Sequence, residues 1–174
     1  VEVGRPGDGA CQPMTLNFRL GGVEGAPPND PDAWKMGKEL TGIYLAAKER
    51  GEVTNPREDV LMFATMVPGV VHFNTTRVVG KSGVDAAALG EAEVEGRRQA
   101  LELLDLLTRP SPRFRNAFLL KMACQIGIRE TRRVMGGYVL TEDDVLQARK
   151  FLDGIARSNY PVDIHNPAGT GTVI

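Results

Sequence analysis

A chain of 174 residues with 42% hydrophobic and 25% charged side chains has the size and composition of one globular domain with a real core. Its 21 basic and 22 acidic residues leave a formal net charge of −1, which excludes the basic field needed to hold nucleic acid or an anionic membrane. Cys11 and Cys124 are too few and too far apart to suggest a disulfide framework or a zinc site. No apolar run reaches the roughly 20 residues of a membrane span, and a reducing, cytoplasmic setting is the expectation.

The opening VEVGRPGDGACQ reads as an irregular lead-in, with turn signals at Pro6-Gly7 and Asp8-Gly9. In PMTLNFRLGGV, Met14, Leu16, Phe18 and Leu20 alternate with Thr15, Asn17 and Arg19, the period of a half-buried strand that Gly21 and Gly22 end. EGAPPNDPD is a loop. Asp30 and Pro31 are the expected N-cap and first residue of a helix that runs to about Arg50, where Gly51 stops it. Trp34, Leu40, Tyr44 and Ala47 give that helix its apolar side.

DVLMFATMVPG and VVHFNTTRVVG read as two strands joined through Pro68-Gly69 as a hairpin. A long helix is predicted over Asp85 to Thr108, where Leu89, Ala92, Gly96, Ala100, Leu103 and Leu107 recur at helical spacing; Pro110 and Pro112 end it. AFLLKMACQIGI is too short for a helix and is read as a strand. Thr141 with Asp144 three residues on forms a capping box that opens a short helix, and YPVDIH reads as a final strand. The sum is an α+β domain, a largely antiparallel sheet with helices on one face.

Most chemical motifs fail on spacing. Gly80-Lys81-Ser82 has the tail of a phosphate loop, but its leading glycine is replaced by Thr75. GGVEGA at 21–26 has the wrong spacing for a dinucleotide fingerprint, and Pro27 and Pro28 block the helix it would need. His72, between Val71 and Phe73, is expected to be a satisfied core or sheet-face histidine; His165 has Asp163 on the same strand face and could be oriented by it. Asn74-Thr75-Thr76 matches the glycosylation sequon but falls within a strand. Glu142-Asp143-Asp144 at a helix start complements the helix dipole.

GIRETRR is left. Drawn as an extended strand, Arg129, Thr131 and Arg133 share one face, while Glu130 and Arg132 share the other with Ile128 and Val134. If that second face is core, Arg132 needs an anion. Glu130 and a bound ligand are both open to it.

The stretch IGIRETRRVMGGYVLTEDDVLQARKFLDGIARSNYPVDIHNPAGTG closely resembles a signature of a bacterial family of FAD-dependent oxidoreductases of the glutathione-reductase-like class, some members of which carry the label xanthan lyase. VHFNTTRVVG, EAEVEGRRQALELLDLL and QPMTLNFRLGGV extend the match, in order, over nearly the whole chain. The resemblance implies that residues 1–174 are a single domain, the internal substrate or cap domain of a two-domain flavoprotein. Residues 1–11 and 166–174 would be linkers to a Rossmann flavin-binding domain that precedes Val1 and resumes after Ile174. FAD is the cofactor implied for the full-length enzyme. None is expected on this chain alone, which is predicted inactive because Cys11 and Cys124 form no reversible two-electron couple.

In that setting the domain closes over the flavin and positions substrate for hydride transfer. Arg129 and Arg132 are the expected substrate or anion contacts, able to clamp a carboxylate or meet an anionic reduced flavin, with Glu130 orienting them. Asn74 and His165 are further polar candidates. No catalytic residue is assigned and no metal is expected. The expected partners are the flavin-binding domain of the same polypeptide and a small-molecule substrate, not nucleic acid or membrane, and the interdomain face is open to self-association. The competing reading is a free-standing binding module derived from a flavoprotein. A carboxylate-based hydrolase would need a pair of facing acids that the spacing does not supply.

Overall fold

The computed structural model describes residues 1–160 and 162–173. In chain order these form β1 (Glu2–Val3), β2 (Phe18–Gly21), α1 (Ala33–Glu49), β3 (Met62–Ala64), β4 (Val71–Phe73), α2 (Ala86–Thr108), a 3-10 turn at Pro112–Phe114, β5 (Phe118–Met122), β6 (Arg132–Arg133), α3 (Glu142–Leu146), β7 (Ile164–His165) and β8 (Thr172–Val173). Every pairing between these strands is antiparallel.

The centre of the fold follows from the period-two pattern. Met14, Leu16, Phe18 and Leu20 are all buried, as alternation predicts. β2 lies inside a four-stranded sheet of order β3–β4–β2–β5. The β3–β4 hairpin turns at Gly69, whose φ of 72° suits a residue without a side chain. Phe18, Leu20, Met62, Val71 and Phe73 point to one face and meet Leu40, Tyr44 and Ala47 of α1 and Ala100, Leu103 and Leu107 of α2. Phe18 and Phe73 stack with centroids 5.0 Å apart, so both helices cover the same side of the sheet. Arg19, His72 and Phe63, which succeed one another across the strands, occupy the opposite face.

A second cluster of Met14, Leu16, Val78, Ala92 and Ile126 lies under the first half of α2. Gly96 permits that contact, since a Cβ there would stand 2.9 Å from the Cβ of Leu16. Asp85 caps α2 by accepting from the Ala88 N–H at 2.7 Å, and Thr141 with Asp144 forms the expected capping box of α3.

Four expectations are corrected. The N-cap of α1 is Asp32, not Asp30; the Asp30 carboxylate instead accepts from the Asp32 N–H at 2.9 Å, and Pro31 stays in the turn before the helix. Trp34 is half exposed because it lies on the outer side of the first turn, where Lys38 approaches its ring. The lead-in is not wholly irregular, since β1 pairs with β6. GIRETRR is not one strand either: the chain bends at Glu130, and Ile128, Arg132 and Val134 are all exposed, so no core face demands a partner for Arg132. The expected final strand is confined to β7, and Pro161 lies outside the described residues.

Candidate functional site

Beyond Phe73 the chain leaves the regular sheet, and side chains take over from the backbone ladder. The Thr76 hydroxyl accepts from the Leu16 N–H at 2.8 Å and donates to the Leu16 carbonyl at 3.0 Å. On the other flank the Thr75 hydroxyl accepts from the Leu61 N–H at 3.1 Å and donates to the Leu61 carbonyl at 3.0 Å. A hydroxyl suits this substitution because it is donor and acceptor at once. Arg77 is held in the same manner by an amide: its N–H donates to Gln99 Oε1 at 2.8 Å, and Gln99 Nε2 donates to its carbonyl at 3.0 Å. Asn55 donates to the Thr75 carbonyl at 3.0 Å and accepts from the Arg57 N–H at 3.1 Å. Tyr44 Oη and Lys48 Nζ hold the Arg57 carbonyl at 3.1 and 2.8 Å.

This frame holds two buried guanidinium groups, both of which act on Arg129 and His165. The Arg77 side chain is 3% exposed; its Nη1 donates to both oxygens of Glu58 at 3.0 Å and to the Gly169 carbonyl at 2.8 Å. Its Nη2 lies 3.3 Å from His165 Nδ1. A guanidinium only donates, so Nδ1 carries the lone pair and the imidazole proton resides on Nε2. The Arg57 side chain is 8% exposed and donates from Nε to Asp59 at 2.8 Å. Glu58 also accepts from the Gly171 N–H, which ties the β7–β8 turn to this cluster of charges. Burial works against the Glu58 carboxylate, but the Gly171 N–H, its own N–H and Arg77 outweigh it and hold its pKa below the usual range.

Arg129 is the third guanidinium. It is half-buried, and among the described residues it has no carboxylate within ion-pair distance. Burial first, then the charges of Arg57 and Arg77, lower its pKa; Asp163 and Tyr160 oppose this. The same three arginines act on buried His165. Burial, Arg129 and Arg77 push its pKa below 6.5 against Asp163, whose carboxylate lies 3.8 Å from Nε2.

Of the residues singled out from sequence, the structure brings Arg129 and His165 together. Arg132 is exposed in β6 opposite Val3 and does not figure among the charges acting on Arg129. Glu130 is exposed, pairs with Arg133 at 3.1 Å and accepts from Gln12 at 3.2 Å. Asn74 is half-buried on the open side of the sheet, and its Oδ1 is buried with no partner among the described residues. His72 shares that face. The sheet-face placement expected for it is observed, but its Nδ1 has no hydrogen-bond partner among the described residues. Sequence reasoning missed Arg57, Glu58 and Arg77. A signal for Arg77 existed, because Val71, Phe73, Thr75 and Arg77 share one alternation and are all buried.

Among the described residues no group of three or more histidine, cysteine or acidic side chains could hold a metal, and no helix is long and apolar enough to cross a membrane. The long helices offer no cradle for the pyrophosphate of FAD. The Asp85 carboxylate occupies the N-terminus of α2, and on α1 the Ala33 and Lys35 N–H groups donate to the Asp30 and Asp32 carbonyls, where a dinucleotide needs open N–H groups. Among the described residues no parallel strand precedes either helix. The two long helices therefore do not fit the dinucleotide half of that cofactor.

The model of one protein family, described as FAD dependent oxidoreductase, matches residues 1–174. Comparison with curated proteins and with solved structures returned no match. The match runs through every segment that builds the arginine cluster, from Arg57 to His165, and on it the chain belongs to the FAD dependent oxidoreductase family.

Proposed function

We propose that this chain is the substrate-binding cap domain of an FAD-dependent oxidoreductase, and that the arginine cluster holds an anionic group of the substrate while hydride passes to or from the flavin. One observation carries the reading. Arg129 is a half-buried guanidinium without a carboxylate of its own, set beside two further guanidinium groups. Burial and the charge of Arg57 act against the charged form of Arg129 more than Asp163 supports it, which favours an anion from elsewhere. Arg129 and His165 contact that anion directly or through water. Arg57 and Arg77 shape the wall, and Asn74 and Arg132 lie further along the substrate's path.

The flavin itself belongs to a separate binding region of the same polypeptide. The apolar run that includes Val134, Leu140, Leu146, Leu152 and Ile155, all well exposed here, is the surface that docks against it. The test is redox titration of the flavin-loaded protein. Arg129→Met removes a cation from beside the reacting centre and should lower the flavin's reduction potential by on the order of 30 mV, the equivalent of about 1.4 kcal/mol for two electrons. Arg132→Ala should move it less. An unchanged potential and flavin spectrum in Arg129→Met would remove the cluster from the active site.

A further inference from the structure

We infer that two copies of this chain associate through the free edge of β3. The two strands run antiparallel about a two-fold axis at Phe63 and join two four-stranded sheets into one. β3 ends its sheet, and its outer edge is one wall of a groove of about 720 Å3 whose other wall is the first half of α1. The Leu61 carbonyl accepts from the Asn74 N–H at 2.9 Å, so by alternation Phe63 bonds to β4 in the same way. Met62 and Ala64 then turn their N–H and C=O groups to the groove, where no described residue bonds them. An open edge of this kind is a template for a further strand. Trp34 and Phe63 line the groove, Met66 and Val67 follow it at the hairpin tip, and all of them are exposed.

Charge selects a second copy as the occupant. The charged residues that line the groove are Asp30, Lys38 and Asp59. Asp59 is taken by Arg57 at 2.8 Å, whereas Asp30 and Lys38 have no ion-pair partner among the described residues. Their places follow from the bonds between α1 and β3, which run in opposite directions. The Asn29 N–H donates to the Thr65 carbonyl at 2.9 Å, and the Thr41 hydroxyl accepts from the Val60 N–H at 3.0 Å. Between them a Cβ on Gly37 would stand 3.2 Å from the Val60 carbonyl oxygen. Asp30 therefore lies beside Thr65, and Lys38 beside Val60 and Met62. A two-fold axis at Phe63 sets Thr65 opposite Leu61 of the second copy, which brings each Asp30 to the other copy's Lys38. A partner of a single sign would satisfy one of these charges and repel the other. The same axis pairs Met62 with Ala64 of the second copy, each exchanging both backbone bonds, and sets the two Phe63 rings side by side.

The test is sedimentation equilibrium of the 174-residue chain and its variants at low salt, with circular dichroism to confirm that each is folded. The parent should show a reversible monomer–dimer equilibrium. Ala64→Pro removes an outward N–H, leaves the β4 ladder whole, and should raise Kd at least about tenfold. Lys38→Asp and Asp30→Lys each set like charges together at both ends of the interface, and each should raise Kd at least about tenfold. An equal mixture of these two variants should recover the parent's Kd, because in the mixed pair every contact is again between opposite charges. A parent that stays monomeric at every concentration leaves the groove to another occupant and overturns the inference. A dimer that Ala64→Pro leaves intact uses another surface and overturns it too, as does a mixture that associates no better than its components. None of these outcomes alters the flavin potential by which the arginine cluster is tested.

Discussion

Thr76→Val is the sharpest test of how the segment that carries Arg77 is held. Valine has the shape of threonine and an equal liking for extended chain, so the substitution removes little besides the hydroxyl. That hydroxyl serves the N–H and the carbonyl of Leu16, and Thr76 and Leu16 are both fully buried. Losing it strands two backbone groups away from water, at about 1–3 kcal/mol each. Set against a small gain in apolar burial, the net loss should be about 2–4 kcal/mol. For a chain of this length that lowers Tm by roughly 4–16 °C. Thr76→Ser keeps the hydroxyl, gives up one methyl, and should cost only about 1 kcal/mol. Urea denaturation followed by circular dichroism measures both variants, with a lower midpoint at unchanged slope as the expected signature. If valine is tolerated as well as serine, the Thr76 hydroxyl does not replace the strand ladder, and the account of how Arg77 is aimed fails with it.

Other outcomes follow from the same packing. Gly96→Ala should destabilise by about 1–2 kcal/mol, because overpacking against the Leu16 Cβ outweighs the better helix propensity of alanine. Gly90→Ala, on the same helix with open space around it, should stabilise by about 0.5–1 kcal/mol; equal effects at both positions in a melting experiment would refute the close approach of α2. His72 and His165 both have pKa values pushed below 6.5 by burial, so the unfolded chain binds more protons than the folded one just under that pH. Stability should be full above about pH 7 and fall as the pH drops through 6.5, ahead of any carboxylate titration. Urea midpoints between pH 7.5 and 5.5 measure the slope, and His165→Gln should flatten it.

The fold was legible where local pattern and tertiary demand coincide. The alternation through Leu20 and the helical spacing from Leu89 to Leu107 mark faces that the core buries, and the Asp85 and Thr141 caps satisfy amides close in sequence. The first turn of α1 was misplaced because Asp30 and Asp32 both suit a cap, and the choice between them depends on where the preceding loop lies. The site was harder to read for a different reason. Arg57, Arg77, Arg129 and His165 come from four distant segments, and the Gln99 amide that fixes one of them belongs to a helix whose spacing marks only its apolar side. GIRETRR pointed to Arg129, which the fold sets near Arg57, Arg77 and His165, but the bend at Glu130 breaks the period-two argument for Arg132, and Glu130 pairs with Arg133 three residues away.

The sign of one substitution separates a functional arginine from a structural one. Were Arg129 a structural element, removing it would leave a partner unsatisfied and cost several kcal/mol, as breaking a buried ion pair does. Here Arg129 has no ion-pair partner among the described residues, and the two largest forces on it, burial and the charge of Arg57, oppose its charged form more than Asp163 supports it. Arg129→Met keeps the aliphatic stem against its neighbours and deletes only the unfavourable charge. The variant should therefore be as stable as the parent or more so, by up to about 1 kcal/mol. Urea denaturation of the two chains decides the point. A loss beyond about 1 kcal/mol would mean that Arg129 holds the fold together, whereas stability retained or gained marks a charge kept in an unfavourable place for the sake of a ligand.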